Sequence, residues 1–80
     1  MIHVKFFASV RERLGCPGME MPLPEGAPTV GDVLAEVERA SGTTISGSHL
    51  LAARNQAHVS FSELVAEGDE IAFFPPVTGG

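Results

Sequence analysis

Basic side chains are scarce in this sequence of 80 residues: five Lys and Arg stand against ten Asp and Glu, a net charge of −5 at neutral pH. The five form no cluster, so a phosphate-tracking surface has nothing to be built from and nucleic acid is not an expected partner. An acidic domain suits docking on a basic protein surface, where complementary fields speed encounter. Cysteine is limited to Cys16, which cannot close an internal disulfide. No apolar run approaches the roughly 20 residues that span a bilayer. The N-terminal stretch MIHVKFFASV also lacks the basic region, long apolar stretch and small-residue cleavage site of a signal peptide. These absences lead us to expect a soluble, cytoplasmic, reducing setting without membrane association.

Signatures of chemistry are missing as well. His3, His49, His58 and Cys16 fall on different predicted elements with no short ligand spacing, so no metal site is expected. No neighbour of Cys16 or helix N-terminus would lower its pKa and make it a nucleophile. There is no glycine-rich phosphate loop, no carboxylate pair at catalytic spacing and no Ser-His-Asp signature. Gly68-Asp69 reads as ordinary turn chemistry before a strand. No bound cofactor is expected, and the side chains propose no reaction.

What is present is a globular composition, 44% hydrophobic and 19% charged, in a chain sized for one domain spanning residues 1–80. IHVKFFA alternates Ile2, Val4 and Phe6 against His3, Lys5 and Phe7 and reads as a strand. SVRERLG reads as a short helix capped by Ser9 and closed by Gly15, and GMEMPLPEG as a second strand whose prolines put it at a sheet edge. In TVGDVLAEVERASG, Val30, Val33, Leu34 and Val37 mark one face of the main helix, Thr29 caps it, Asp32 complements its first turn and Gly42 stops it. Gly31 inside that first turn suggests a close backbone approach. Two short strands around Asn55-Gln56, a turn at Gly68-Asp69 and the strand EIAFF complete the chain. The order predicts an α+β, β-grasp fold: a mixed sheet of about five strands with one main helix and short extra helices.

The end of the sequence, FFPPVTGG, is the unusual part. Two glycines would close a chain by chance in roughly one case in 200. Pro75 and Pro76 bias the path to an extended one and cannot donate to a ladder, so residues 75–80 are expected to leave the sheet as a projecting, flexible arm. Without Cβ atoms, Gly79 and Gly80 could pass down a channel too narrow for any other residue. If Ile2, Val4 and Phe6 face the helix, Phe7 lies on the open face; if Ile71 and Phe73 face it, Phe74 lies there too. The two rings make an apolar patch beside the root of the arm, bordered by His58, of the kind that marks a protein interface.

These residues resemble a known family. VKFFASVRE, LLAARNQAHVSF and GDEIAFFPPVTGG are similar to the MoaD family, the ubiquitin-like small sulfur-carrier subunits of molybdopterin synthase, over essentially the whole chain. A Gly-Gly end is shared with ubiquitin and the thiamine sulfur carrier ThiS, whose tails resemble FFPPVTGG less well. The resemblance implies that the Gly80 carboxylate is adenylated by an ATP-dependent, E1-like activating enzyme and converted to a thiocarboxylate (a C-terminal 1-thioglycine) by a separate sulfur donor. The arm would then enter the large synthase subunit and give its sulfur to cyclic pyranopterin monophosphate. By the same resemblance Gly79 gives passage, Pro75, Pro76, Val77 and Thr78 form the arm, and Phe7 and Phe74 match the family's docking surface, with His58 at its border among the partner-binding residues. Catalytic side chains would sit on the partners, in a two-plus-two assembly. His58 departs from the apolar residue usual at its position and Arg54 from a usual Val. A ubiquitin-like protein modifier, or a carrier for thiamine or cysteine synthesis, are the alternatives.

Overall fold

A computed structural model of the protein describes residues 1–47 and 49–76. Seven elements follow one another: β1 (Ile2–Phe6), α1 (Ala8–Leu14), β2 (Gly18–Met21), α2 (Val30–Ser41), β3 (Leu51–Arg54), β4 (Ala57–Val59) and β5 (Glu70–Phe74). The strands form one sheet in the order β2-β1-β5-β3-β4, with β1 and β5 parallel and the other neighbours antiparallel. This is the expected mixed β-grasp sheet.

The alternation in β1 does what its period dictates. Ile2, Val4 and Phe6 are buried while His3 and Lys5 face solvent, and Ile71 and Phe73 of β5 join them from the neighbouring strand. Val30, Val33, Leu34 and Val37 bring the apolar stripe of α2 onto this layer. Burying each of the larger side chains fully is worth about 1.5–3 kcal/mol, so Phe6 and Phe73, which pair across β1 and β5, anchor the centre of the core.

Local chemistry sets the boundaries. Thr29 and Asp32 form a reciprocal capping box: the Asp32 amide donates to Thr29 Oγ1 at 3.2 Å and the Thr29 amide to Asp32 Oδ2 at 2.8 Å. The close approach expected at Gly31 is to the carbonyl of Phe61, which accepts the Gly31 amide at 2.8 Å and would lie 3.3 Å from an added Cβ. Asn55 and Gln56 take positive φ values of 50° and 71°, the signs a tight two-residue hairpin needs.

Three boundaries differ from the sequence reading. The first strand ends at Phe6 rather than Ala8, and Ser9 does not cap α1; Phe7 occupies the N-cap position, with no side-chain cap. The reason is a sheet contact: the Phe7 amide still bonds the Phe73 carbonyl at 3.2 Å while its own carbonyl accepts the Val10 amide at 3.1 Å. Helix α1 therefore starts directly off the strand end, and Ser9 falls within it. Strand β2 runs only to Met21, because Pro22 has no amide with which to continue the ladder. It does lie at a sheet edge, as its prolines indicate.

Candidate functional site

Strands β1 and β5 run side by side, with Phe6 opposite Phe73 in the core. One residue further along each strand the side chains turn to the open face, and these residues are Phe7 and Phe74. Phe7 is 48% exposed, a large fraction for so apolar a side chain. Phe74 is partly covered, and the cover is His58, whose ring meets it edge-on with centroids 5.2 Å apart and planes at 64°. Residue size makes that reach possible. His58 pairs with Ala53 on β3, and Ala53 with Ala72 on β5, so at the level of His58 the neighbouring strands present only methyl groups on this face.

The character of the open face changes along the strands. At the far end from Phe74 it carries polar contacts, His3 Nδ1 to Glu20 at 3.2 Å and the ion pair of Lys5 Nζ with Glu70 at 3.3 Å. Near the C-terminal end of β5 it carries Phe7, Phe74 and Leu51, the last directly opposite Phe74. A hollow of about 490 Å³ between these regions is lined by Phe7, Met19, Lys5 and Arg11 among others. The face thus offers an apolar contact at one end and a charged rim at the other.

Pro75 and Pro76 follow Phe74 directly, the first half-buried and the second exposed. They line a crevice of about 130 Å³ with Val10 and Arg13 of α1 and with Ile45, His49 and Leu50 of the α2–β3 connection. Sequence reasoning singled out the prolines but not this surround. Its members are 25 or more residues from Pro75 in sequence, and no local pattern links them. Val77, Thr78, Gly79 and Gly80 lie outside the described residues.

Asp69 is confirmed as a turn residue. Its Oδ2 accepts the Ala66 amide at 2.8 Å and its Oδ1 the Asn55 side-chain amide at 3.0 Å. The Ala66 amide foremost, then Asn55, with a smaller contribution from Arg54, holds its carboxyl below the usual carboxylate range. Asn55 also accepts the Glu70 amide at 2.9 Å, tying the tip of the β3–β4 hairpin to the start of β5. Among the described residues no three His, Cys, Asp or Glu side chains come together as a metal site. No helix among them is long and apolar enough to cross a membrane.

Two phenylalanines, an imidazole and two prolines thus lie together at the C-terminal end of β5. Against known families, the model of the ThiS family matches residues 4–80. The chain belongs to the ThiS family. It is 43% identical to the molybdopterin synthase sulfur carrier subunit of Escherichia coli (strain K12) over the full length of both chains. It is 38% identical to the subunit of the same name from Haemophilus influenzae, again over the full length of both. Among solved structures it is similar to SAMP1 from Haloferax volcanii, with a TM-score of 0.82 and 31% identity over 99% of this chain and 98% of that one. The MoaD-type members of the ThiS family are thus its relatives in sequence, and the ubiquitin-like β-grasp is its fold.

Proposed function

We propose that this protein is the sulfur-carrier small subunit of a molybdopterin synthase, working through the carboxylate of Gly80 in the cytoplasm. The observation that carries the reading is the placement of Pro75-Pro76 immediately beside the exposed Phe7 and the His58-braced Phe74, in a chain 43% identical to a carrier of that name. A contact surface at the foot of an arm suits a subunit whose end must react inside another protein.

The chemistry follows from the electrophile. A carboxylate ionised at neutral pH resists nucleophilic attack, so an oxygen must first be made a leaving group. An E1-like enzyme joins the Gly80 carboxylate to the α-phosphate of ATP and releases pyrophosphate. A sulfur donor then displaces AMP, leaving a thiocarboxylate. The large subunit receives the arm and supplies the catalytic side chains; two successive transfers give cyclic pyranopterin monophosphate its dithiolene sulfurs. This chain contributes the nucleophilic sulfur, the arm and the docking face, and needs no cofactor of its own.

Incubation with the activating enzyme, ATP and a sulfide source should add about 16 Da at the C-terminus, the difference between sulfur and oxygen. The likeness to SAMP1, a small archaeal modifier protein, favours a second reading, a modifier joined to lysines through Gly80. Lysine conjugates in cell extract without the mass shift would establish that second reading and overturn the first.

A further inference from the structure

The loop that walls the proline crevice is fastened from two sides. From α1, an Arg13 guanidinium N–H donates to the Thr44 carbonyl at 2.6 Å. From α2, one carboxylate oxygen of Glu38 accepts the amides of both Ile45 and Ser46, each at 2.7 Å. These bonds hold residues 44–46 against the two helices, bury Ile45, and leave it beside Val10 and Leu50 as the wall on which Pro75 and Pro76 lie. The backbone amides of Ser46 and Ile45 keep the Glu38 carboxyl below its ordinary range, so the α2 fastening persists at neutral pH.

The geometry points to Arg13 as a positioning residue for the arm: by clamping the loop to α1 it shapes the crevice that fixes the direction in which the chain leaves Pro76. This deepens the carrier reading and rests on it. In the carrier reading the reacting carboxylate belongs to Gly80, four residues beyond Pro76, and direction matters because four residues span at most about 14 Å. A partner must therefore bring its reacting centre close to this crevice, and an arm leaving at the wrong angle cannot make up the difference by reach. Pro75 and Pro76 hold the direction set at the crevice, since the fixed φ of each leaves few bends available between them. Arg13 suits the clamp because its charged donor bonds the Thr44 carbonyl without any need for a sequence neighbour.

The test is NMR on the free protein, comparing wild type with R13A and R13K. Wild type should show NOEs from the ring protons of Pro75 and Pro76 to the methyls of Val10, Ile45 and Leu50. R13A should lose them with its melting temperature little changed, and R13K, which keeps a charged donor, should recover them. NOEs that persist in R13A overturn the proposal, as does their loss in both variants together with a large fall in melting temperature. A second measurement uses thiocarboxylated protein with the large subunit and its pterin substrate. R13A should slow single-turnover transfer about tenfold, as misplacement of a reacting group does, while Kd for the large subunit stays unchanged. An equal rate overturns the positioning role. If wild type transfers no sulfur at all, the carrier reading fails, and the NOEs still decide the clamp.

Discussion

The His58 ring stands edge-on to Phe74 across an intervening alanine, bridging β4 to the last strand. It covers part of Phe74 at the C-terminal end of β5, beside the more exposed Phe7. Binding energy at interfaces is concentrated in a few large side chains, and in the carrier reading Phe74 and Phe7 supply them.

Replacing Phe74 with Asp should therefore weaken binding of the large subunit by about 2 kcal/mol or more, the scale of an interface hot spot. Calorimetric titration checks this. Equal affinity would show that the partner docks elsewhere. Circular dichroism should show the fold retained, because Phe74 faces outward while Phe73 fills the core.

Deleting Gly80, or adding one residue after it, should abolish thiocarboxylate formation and sulfur transfer. The melting temperature should stay within a few degrees of wild type, since the core lies between β1, β5 and α2. A large thermal shift would show that the end of the chain contributes to the fold.

Acid should destabilise the protein through Asp69 and Glu38, both held below the ordinary carboxylate range by backbone amides that they accept. Depressed carboxylates contribute stability that is fully present above their unfolded pKa near 4 and is lost as pH falls through the lower folded values. Urea melts from pH 7 to pH 2 should show stability flat down to about pH 5 and falling below it. D69N should lose about 1 kcal/mol at neutral pH, the net worth of a hydrogen bond, and show a shallower acid limb than wild type. An acid limb as steep as wild type would place the titration on other groups.

Gly18 tests the packing of the edge strand. An added Cβ there would lie 2.5 Å from the Val4 carbonyl oxygen, inside any tolerable contact. G18A should cost about 1–3 kcal/mol, the range for overpacking, measured by denaturant melts. G31A, whose Cβ would meet the Phe61 carbonyl at the milder distance of 3.3 Å, should cost less. The reverse order would mean that β2 shifts freely against β1.

Where the sequence was readable, one residue's chemistry or a short period decided the outcome. Ile2, Val4 and Phe6 alternate, so β1 and the outward side of Phe7 followed from them. Thr29 and Asp32 announce the start of α2, and Gly31 marks a close neighbour without naming Phe61. Phe7 and Phe74 could be put on one face because parity along a strand fixes sides. The start of α1 was misread because Ser9 is a good cap in isolation, whereas the Phe7–Phe73 bond decides the boundary and comes from a strand 66 residues away. The proline crevice was illegible for a related reason: Arg13 and Thr44 are 31 residues apart, and only the fold makes them neighbours. The chemistry proposed at Gly80 has no side-chain signature at all, and only the likeness of the whole chain suggests it.

Strand β5 is the middle plank of the sheet, with β1 and β2 to one side and β3 and β4 to the other. Any pull on the residues that follow Pro76 is a load applied along β5. Its ladders to β1 and β3 must then yield in shear, many bonds at once, and cannot unzip singly from an edge. In the carrier reading, whatever grips the end of the chain therefore loads the central strand of the sheet and not an edge that peels away.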